Sequence, residues 1–284
     1  MAKPKAKAAK KKPVAKKKPS AKKPSAKKSV AKKSVAKKVA PKRPIGASAG
    51  HSGELLGEIT CPSGTLDVFD VGLLGYLGRD ALEPAIVKAQ VPSDRALAVI
   101  GHRVGAGKEY GDCWDRVIVK LASGVPTHWK KLGEASVDFA RLVVMDHSAL
   151  DVWTHEDTLD GLADVVFWGR DAAAAARASG AKSMKEGYGW TNLSLDVAEE
   201  KALEVDKLKH ANKWAMNIDF RPHSHHFYAL AEARKNKLGA GTIEVGDAKV
   251  CLFFTSWGDG VFPVFLDLDE QDRPLQVRVQ LQKA

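Results

Sequence analysis

Apolar and polar positions divide this chain into a long opening stretch with no period and a body with strong ones. Four short runs carry the β signature: TLDVFD (Thr65–Asp70), ALAVIGHRV (Ala96–Val104), DRVIVKLA (Asp115–Ala122) and FARLVVMD (Phe139–Asp146). Each is rich in β-branched residues and bounded by Gly, Pro or Asp. KVCLFFTS (Lys249–Ser256) is apolar on both faces, which predicts a strand inside a sheet. VFPVFLDLD (Val261–Asp269) leads through a polar turn at Glu270–Arg273 into PLQVRVQLQ. There Leu275, Val277, Val279 and Leu281 alternate with Gln276, Arg278, Gln280 and Gln282, so the pair reads as an antiparallel hairpin with a half-buried last strand.

A longer period appears in the middle. RDAAAAARAS (Arg170–Ser179) has high helix propensity with little to pack. Leu195, Ala198, Ala202, Val205 and Leu208 recur at helical spacing behind a candidate N-cap, Ser194. Phe227, Leu230 and Ala231 begin another helix that should end near Gly239. The pattern therefore predicts an α+β fold. It is a mainly antiparallel sheet with a helical middle segment at 170–240, preceded by a disordered basic tail. Residues 1–48 form the tail, 49–63 a linker and entry segment, and 64–284 one domain, with the small, flexible IGASAGHSG (Ile45–Gly53) leading into the body.

The tail has no stripe to bury. A five-residue step turns a helix by about 140° net, so its paired lysines march around any axis. Between Met1 and Val39 only Val14, Val30, Val35 and Val39 are apolar beyond alanine and the initiator Met. Ordering costs about 1–2 kcal/mol per residue, which so little surface cannot offset. Pro4, Pro13, Pro19, Pro24, Pro41 and Pro44 break any long helix.

Charge sharpens this division. Residues 1–43 hold 19 Lys and Arg and no Asp or Glu. Taking those 19 from the 45 basic residues of the chain leaves 26 against 34 acidic ones, a net of −8 for the rest. Such asymmetry points to a polyanion-binding tail on an acidic body. Lysine is a strongly hydrated point charge without the planar fork of arginine, suited to phosphates rather than base edges. No aromatic residue precedes Phe69, so the tail has nothing on which bases could stack. The expected contacts are Lys10, Lys11, Lys12, Lys16, Lys17, Lys18, Lys22, Lys23, Lys27, Lys28, Lys32, Lys33, Lys37 and Lys38 with the phosphate backbone of DNA or RNA. The Lys/Ala/Pro pattern resembles histone H1-like tails. That resemblance implies sequence-independent DNA binding and a nucleoid-associated, cytoplasmic location. A solvated tail, or one docked on the acidic body, is the alternative.

Targeting and membrane readings find little. No apolar core of signal-peptide length follows the basic run, and no window of 18 apolar residues exists, so no membrane insertion is expected. Cys61, Cys113 and Cys251 lack metal-type spacing and read as reduced thiols.

Near the end, FTSWGDGVFPVFLDLDEQDRPLQVRV resembles the closing segment of the bacterial family called domain of unknown function 4241. Ser256, Trp257, Gly258, Asp259, Gly260, Phe262 and Pro263 carry the match, although a Gly usual between Ser and Trp is missing. Looser echoes lie in VPSDRALAVIGHRV, VPTHWKKLG and LVVMDHSALDVW, with 170–240 as an enlarged middle. The resemblance implies a fold and a bacterial origin but no chemistry.

Candidate chemistry rests on three clusters. SWGDG is expected to be a turn, with Gly258 and Gly260 at positive φ and Asp259 bonding its own backbone. RPHSHHF brings His223, His225 and His226 together, which could ligate Zn²⁺ with Asp146, His155 or Glu156, although no zinc-type spacing occurs and no metal or cofactor is assigned. MDHSALDVWTHED offers Asp146, His147, Asp151, His155, Glu156 and Asp157 for acid–base work. No phosphate-binding loop, nucleophile elbow or dinucleotide fingerprint is present, so no catalytic residue is assigned. Three functions stay open. The chain could be a DNA-tethered acidic domain with an unknown protein partner, an inhibitor or immunity-type protein for a basic partner, or a hydrolase using these clusters.

Overall fold

A computed structural model of the chain describes residues 53–105 and 107–282; the predicted tail and all its lysines lie outside the described residues. In chain order the first elements are β1 (Glu54–Ile59), β2 (Thr65–Asp70), α1 (Val71–Leu77), α2 (Arg79–Leu82), β3 (Val87–Gln90), β4 (Leu97–Arg103) and β5 (Trp114–Lys120). Then come β6 (His128–Val137), β7 (Arg141–Asp146), α3 (Ala149–Val152), β8 (Leu162–Gly169), α4 (Ala172–Ser179), β9 (Lys182–Met184) and β10 (Gly187–Ser194). The chain closes with α5 (Leu195–Asn212), β11 (Met216–Pro222), α6 (His225–Lys235), β12 (Ala240–Val245), β13 (Ala248–Phe254), β14 (Gly260–Leu268) and β15 (Pro274–Gln280).

Every strand pair is antiparallel. A six-stranded sheet runs β1-β4-β5-β15-β14-β6, and a five-stranded sheet runs β12-β13-β7-β2-β3. Their facing sides share one core, with Val99, Val117, Val264, Val277 and Val279 from the first sheet against Leu66, Val68, Leu142, Val144 and Phe253 from the second. The alternate residues of the second sheet, Phe69, Val143, Met145, Val250 and Leu252, bury against α1, α3 and α6. Because β7 and β13 are covered on both faces, LVVM and VCLFF read as continuous apolar runs, whereas β2 buries Asp67 among its apolar residues.

The hairpin of β14 and β15 forms as expected. Asp269 organises its turn, accepting from the Gln271 and Arg273 amides at 2.9 Å each and from Arg273 Nε at 2.7 Å. The entry segment carries a strand that the sequence reading did not name: β1 pairs with β4 and buries Leu56 and Ile59. Its sequence, ELLGEI, contains Gly57 and few β-branched residues. The pairing brings Gly57 close to Thr242 and Cys251 across the core, where a built Cβ would lie 2.4 Å from Thr242 Cγ2.

The middle segment is more than helices. A third sheet, β11-β8-β10-β9, carries α4 and α5 on one face. Alanine explains α4: Ala172, Ala175 and Ala176 are small enough to seat the helix directly against Phe167. α5 follows Ser194, but that side chain makes no capping bond. α6 starts at His225, two residues before the expected Phe227, because Ser224 caps it by accepting from the Phe227 amide. Asp219 and Arg221 of β11 pair with Val166 and Asp164 of β8. Directly paired residues share a face, here the one opposite the neighbours that pack on α4 and α5. No helix among the described residues is long and apolar enough to cross a membrane.

Candidate functional site

On that free face of β11 a cleft of about 560 Å³ opens toward α6. Its lining includes Arg141 at the start of β7, His155 and Glu156 from the loop after α3, Asp219 and Arg221 of β11, and His226, Leu230 and Arg234 of α6. Arg141 donates from Nε to the Phe139 carbonyl at 3.2 Å and from Nη1 to His226 Nε2 at 2.8 Å. Because arginine only donates, His226 Nε2 is the acceptor and its ring proton sits on Nδ1. His155 stacks on His226 with ring centroids 4.1 Å apart at 20°. Trp153 Nε1 donates to His155 Nδ1 at 3.3 Å, which places the proton of that ring on Nε2.

Both rings are neutral around pH 7. Burial, then His155, Arg141 and Arg234, push His226 down to about 2. Burial and Arg141 bring His155 to about 4. Two glycines of α1 make this packing possible. A Cβ on Gly72 would lie 2.6 Å from the Phe139 ring, and one on Gly75 would lie 2.4 Å from the His155 ring. Across the cleft the charges are paired: Arg221 reaches Asp219 at 2.6 Å and Glu186 at 2.8 Å, and Arg234 lies 3.5 Å from Glu186.

The three histidines of RPHSHHF diverge. His223 is buried, with Nδ1 3.0 Å from Asp160 and Nε2 3.1 Å from Asp164. Burial opposes its charge, but the two carboxylates outweigh burial and raise its pKa. His225 accepts from the Thr154 amide at 2.9 Å and stacks on Trp153. Only His226 faces the cleft. Among the described residues no group of three or more His, Cys, Asp or Glu is arranged to hold a metal ion.

The MDHSALDVWTHED residues disperse similarly. Asp146 is fully buried. It accepts from the Ser63 amide at 2.9 Å, the Ser63 hydroxyl at 2.8 Å, the Ser148 amide at 2.8 Å and the Ser148 hydroxyl. His147 Nδ1 lies 2.7 Å from Asp67, and Asp151 pairs with Arg79. Asp157 is exposed, and Glu156 sits at the cleft's rim.

In the SWGDG turn the positive φ values belong to Ser256 (60°) and Gly258 (73°), whereas Gly260 already starts β14. Ser256 Oγ accepts from the Trp114 amide at 2.9 Å, Thr255 Oγ1 donates to the Gly258 carbonyl at 2.7 Å, and Trp257 Nε1 donates to the Trp114 carbonyl at 2.6 Å. The motif thus pins the β13–β14 connection onto β5. The expected backbone bond of Asp259 does not form: the carboxylate is exposed and makes no hydrogen bond among the described residues. Pro263 sits one residue before β15 joins β14, the first pair being Val264 with Val279.

Sequence reasoning missed Arg141, Asp219 and Arg234. The available signal was an arginine opening the otherwise apolar run RLVVMD. Comparison with protein-family models, with curated proteins and with solved structures returns no match.

Proposed function

We propose that this protein is a nucleic-acid-tethered binding protein. The lysine tail engages the phosphate backbone of DNA without reading sequence, holding the body at the nucleoid, and the body binds a partner or ligand rather than catalysing a reaction. The observation that carries the tethering is the partition of charge, 19 basic and no acidic residues in 1–43 against a net of −8 in the rest. Two features support a binding body. Asp146, an acid–base candidate, and His223, a candidate metal ligand, are engaged by internal hydrogen bonds. The two histidines in the cleft are held far below neutral pH, where an imidazole is a weak general base. The acidic body also suits the alternative of a basic protein as its partner. Kinship with the domain of unknown function 4241 family belongs to the same proposal and rests on Ser256–Pro263.

The test is a fluorescence-anisotropy titration of the full chain against two unrelated duplexes over a range of salt. With about six lysines engaged, affinity should fall roughly 10³-fold between about 50 and 200 mM salt, equally for both duplexes. Replacing Lys22, Lys23, Lys27, Lys28, Lys32, Lys33, Lys37 and Lys38 with Gln should weaken binding to both duplexes alike and flatten its salt dependence. A full chain that binds neither duplex at low salt overturns the tethering.

A further inference from the structure

The cleft contains one cation that makes no ion pair among the described residues. Arg141 is half-buried, and among the described residues no carboxylate forms an ion pair with it. Two of its five N–H donors serve Phe139 and His226, which leaves the others to the cavity that its side chain lines. The acidic groups facing it from other elements are not close partners: Asp70 is committed to the Gly72, Asp138 and Phe139 amides, and Asp219 to Arg221. Arg221 and Arg234 already share Glu186. Arg141 is therefore the one cation of the lining without an ion pair among the described residues, and it sits beside two neutral imidazoles.

A half-buried charge without a counter-charge is costly, and an arginine fork is shaped to receive two oxygens of one planar or tetrahedral group. The lining also includes apolar Pro222, Phe227, Leu230 and Ala231, and about 560 Å³ lies within the range of small-molecule sites. We propose that this cleft binds a small organic anion through a single oxyanion group held by Arg141, with the apolar part of the ligand against Leu230 and Ala231. Carboxylates and phosphate monoesters share that chemistry. No tail residue enters this inference, which stands whether or not the tail binds DNA.

Calorimetric titration of the full chain at about 200 mM salt, where tail contacts are weak, tests it with benzoate, phenyl phosphate and inorganic phosphate. One aromatic probe should bind with one-to-one saturation and more tightly than inorganic phosphate; the preferred aromatic probe identifies the oxyanion. Arg141→Gln should weaken that binding by about tenfold or more, the effect of losing a charge-assisted hydrogen bond, and Arg141→Lys by less. In the unmodified chain, the ring-proton NMR signals of His155 and His226 should move in step with saturation, a readout that does not depend on any variant folding. The eightfold tail Lys→Gln variant should bind as the parent does. The proposal is overturned if neither aromatic probe saturates at millimolar concentration, or if binding is lost with the tail lysines. It is also overturned by binding that leaves the two histidine signals still, or by a folded Arg141→Gln variant that binds like the parent.

Discussion

Asp146→Asn separates a structural carboxylate from a chemical one. In the native protein the two oxygens of Asp146 take two donors each: Ser148 on one side, Ser63 on the other. An amide is the same size but has one acceptor end. The two hydroxyls can rotate to suit it, whereas the two backbone N–H groups cannot, so either orientation leaves one of them facing an NH₂ group. An unsatisfied buried donor costs about 1–3 kcal/mol. The surviving bonds also lose their charge assistance, which brings the total to about 2–4 kcal/mol. A body of this size loses about 2–4 °C in melting temperature per kcal/mol, so the transition should fall by roughly 4–16 °C. Ser148→Ala, which removes one hydroxyl and leaves the amide bond, should cost only about 1 kcal/mol. Differential scanning calorimetry of the three proteins provides the comparison. A melting temperature for Asp146→Asn within about 1 °C of the parent would refute the structural reading and return this carboxylate to the candidates for chemistry.

His223 gives a pH signature. Its folded pKa is raised, so its contribution is complete below its unfolded value of about 6.5 and is lost as pH rises through the folded value. For Asp160, burial acts upward, but hydrogen bonds from His223, Tyr228, Leu162 and Thr158 outweigh it and hold the carboxyl well below its usual range. Its contribution is present above about pH 3.9 and fades as pH falls toward the depressed value. In urea titrations, the stability difference between the parent and His223→Gln should therefore peak between about pH 4 and 6.5 and shrink above it; a difference independent of pH would contradict this. Gly72→Ala should lower the melting temperature, since its Cβ would press on Phe139 at 2.6–2.8 Å and overpacking typically costs about 1–3 kcal/mol. That exceeds the at most ~1 kcal/mol of helix propensity it adds, and a variant as stable as the parent would show that Phe139 is free to yield.

Local periods and composition were enough to find the sheet. The alternation from Leu275 to Gln282, the two-faced apolar run of β13, the β-branched runs of β2 and β7, and the polar turn at Glu270–Arg273 each express a pattern that one segment carries alone. The division of charge at Arg43 is equally local. β1 was hidden because its place is set by β4 and by the approach of Gly57 to Thr242, residues far along the chain. The third sheet was hidden because GYGWTNLS and MNIDFRP pair around VVFW without a clean alternation of their own. The cleft lay furthest from view. His223, His225 and His226 are nearly adjacent in sequence, yet one is clasped by two carboxylates, one accepts a backbone amide and one is stripped of its charge beside Arg141. Burial and the field of neighbouring charges decide a histidine's state, and those neighbours come from β7, β8 and the loop after α3. Residue type is written in the chain, but the surroundings that make Arg141 an unpaired cation exist only once distant elements have packed.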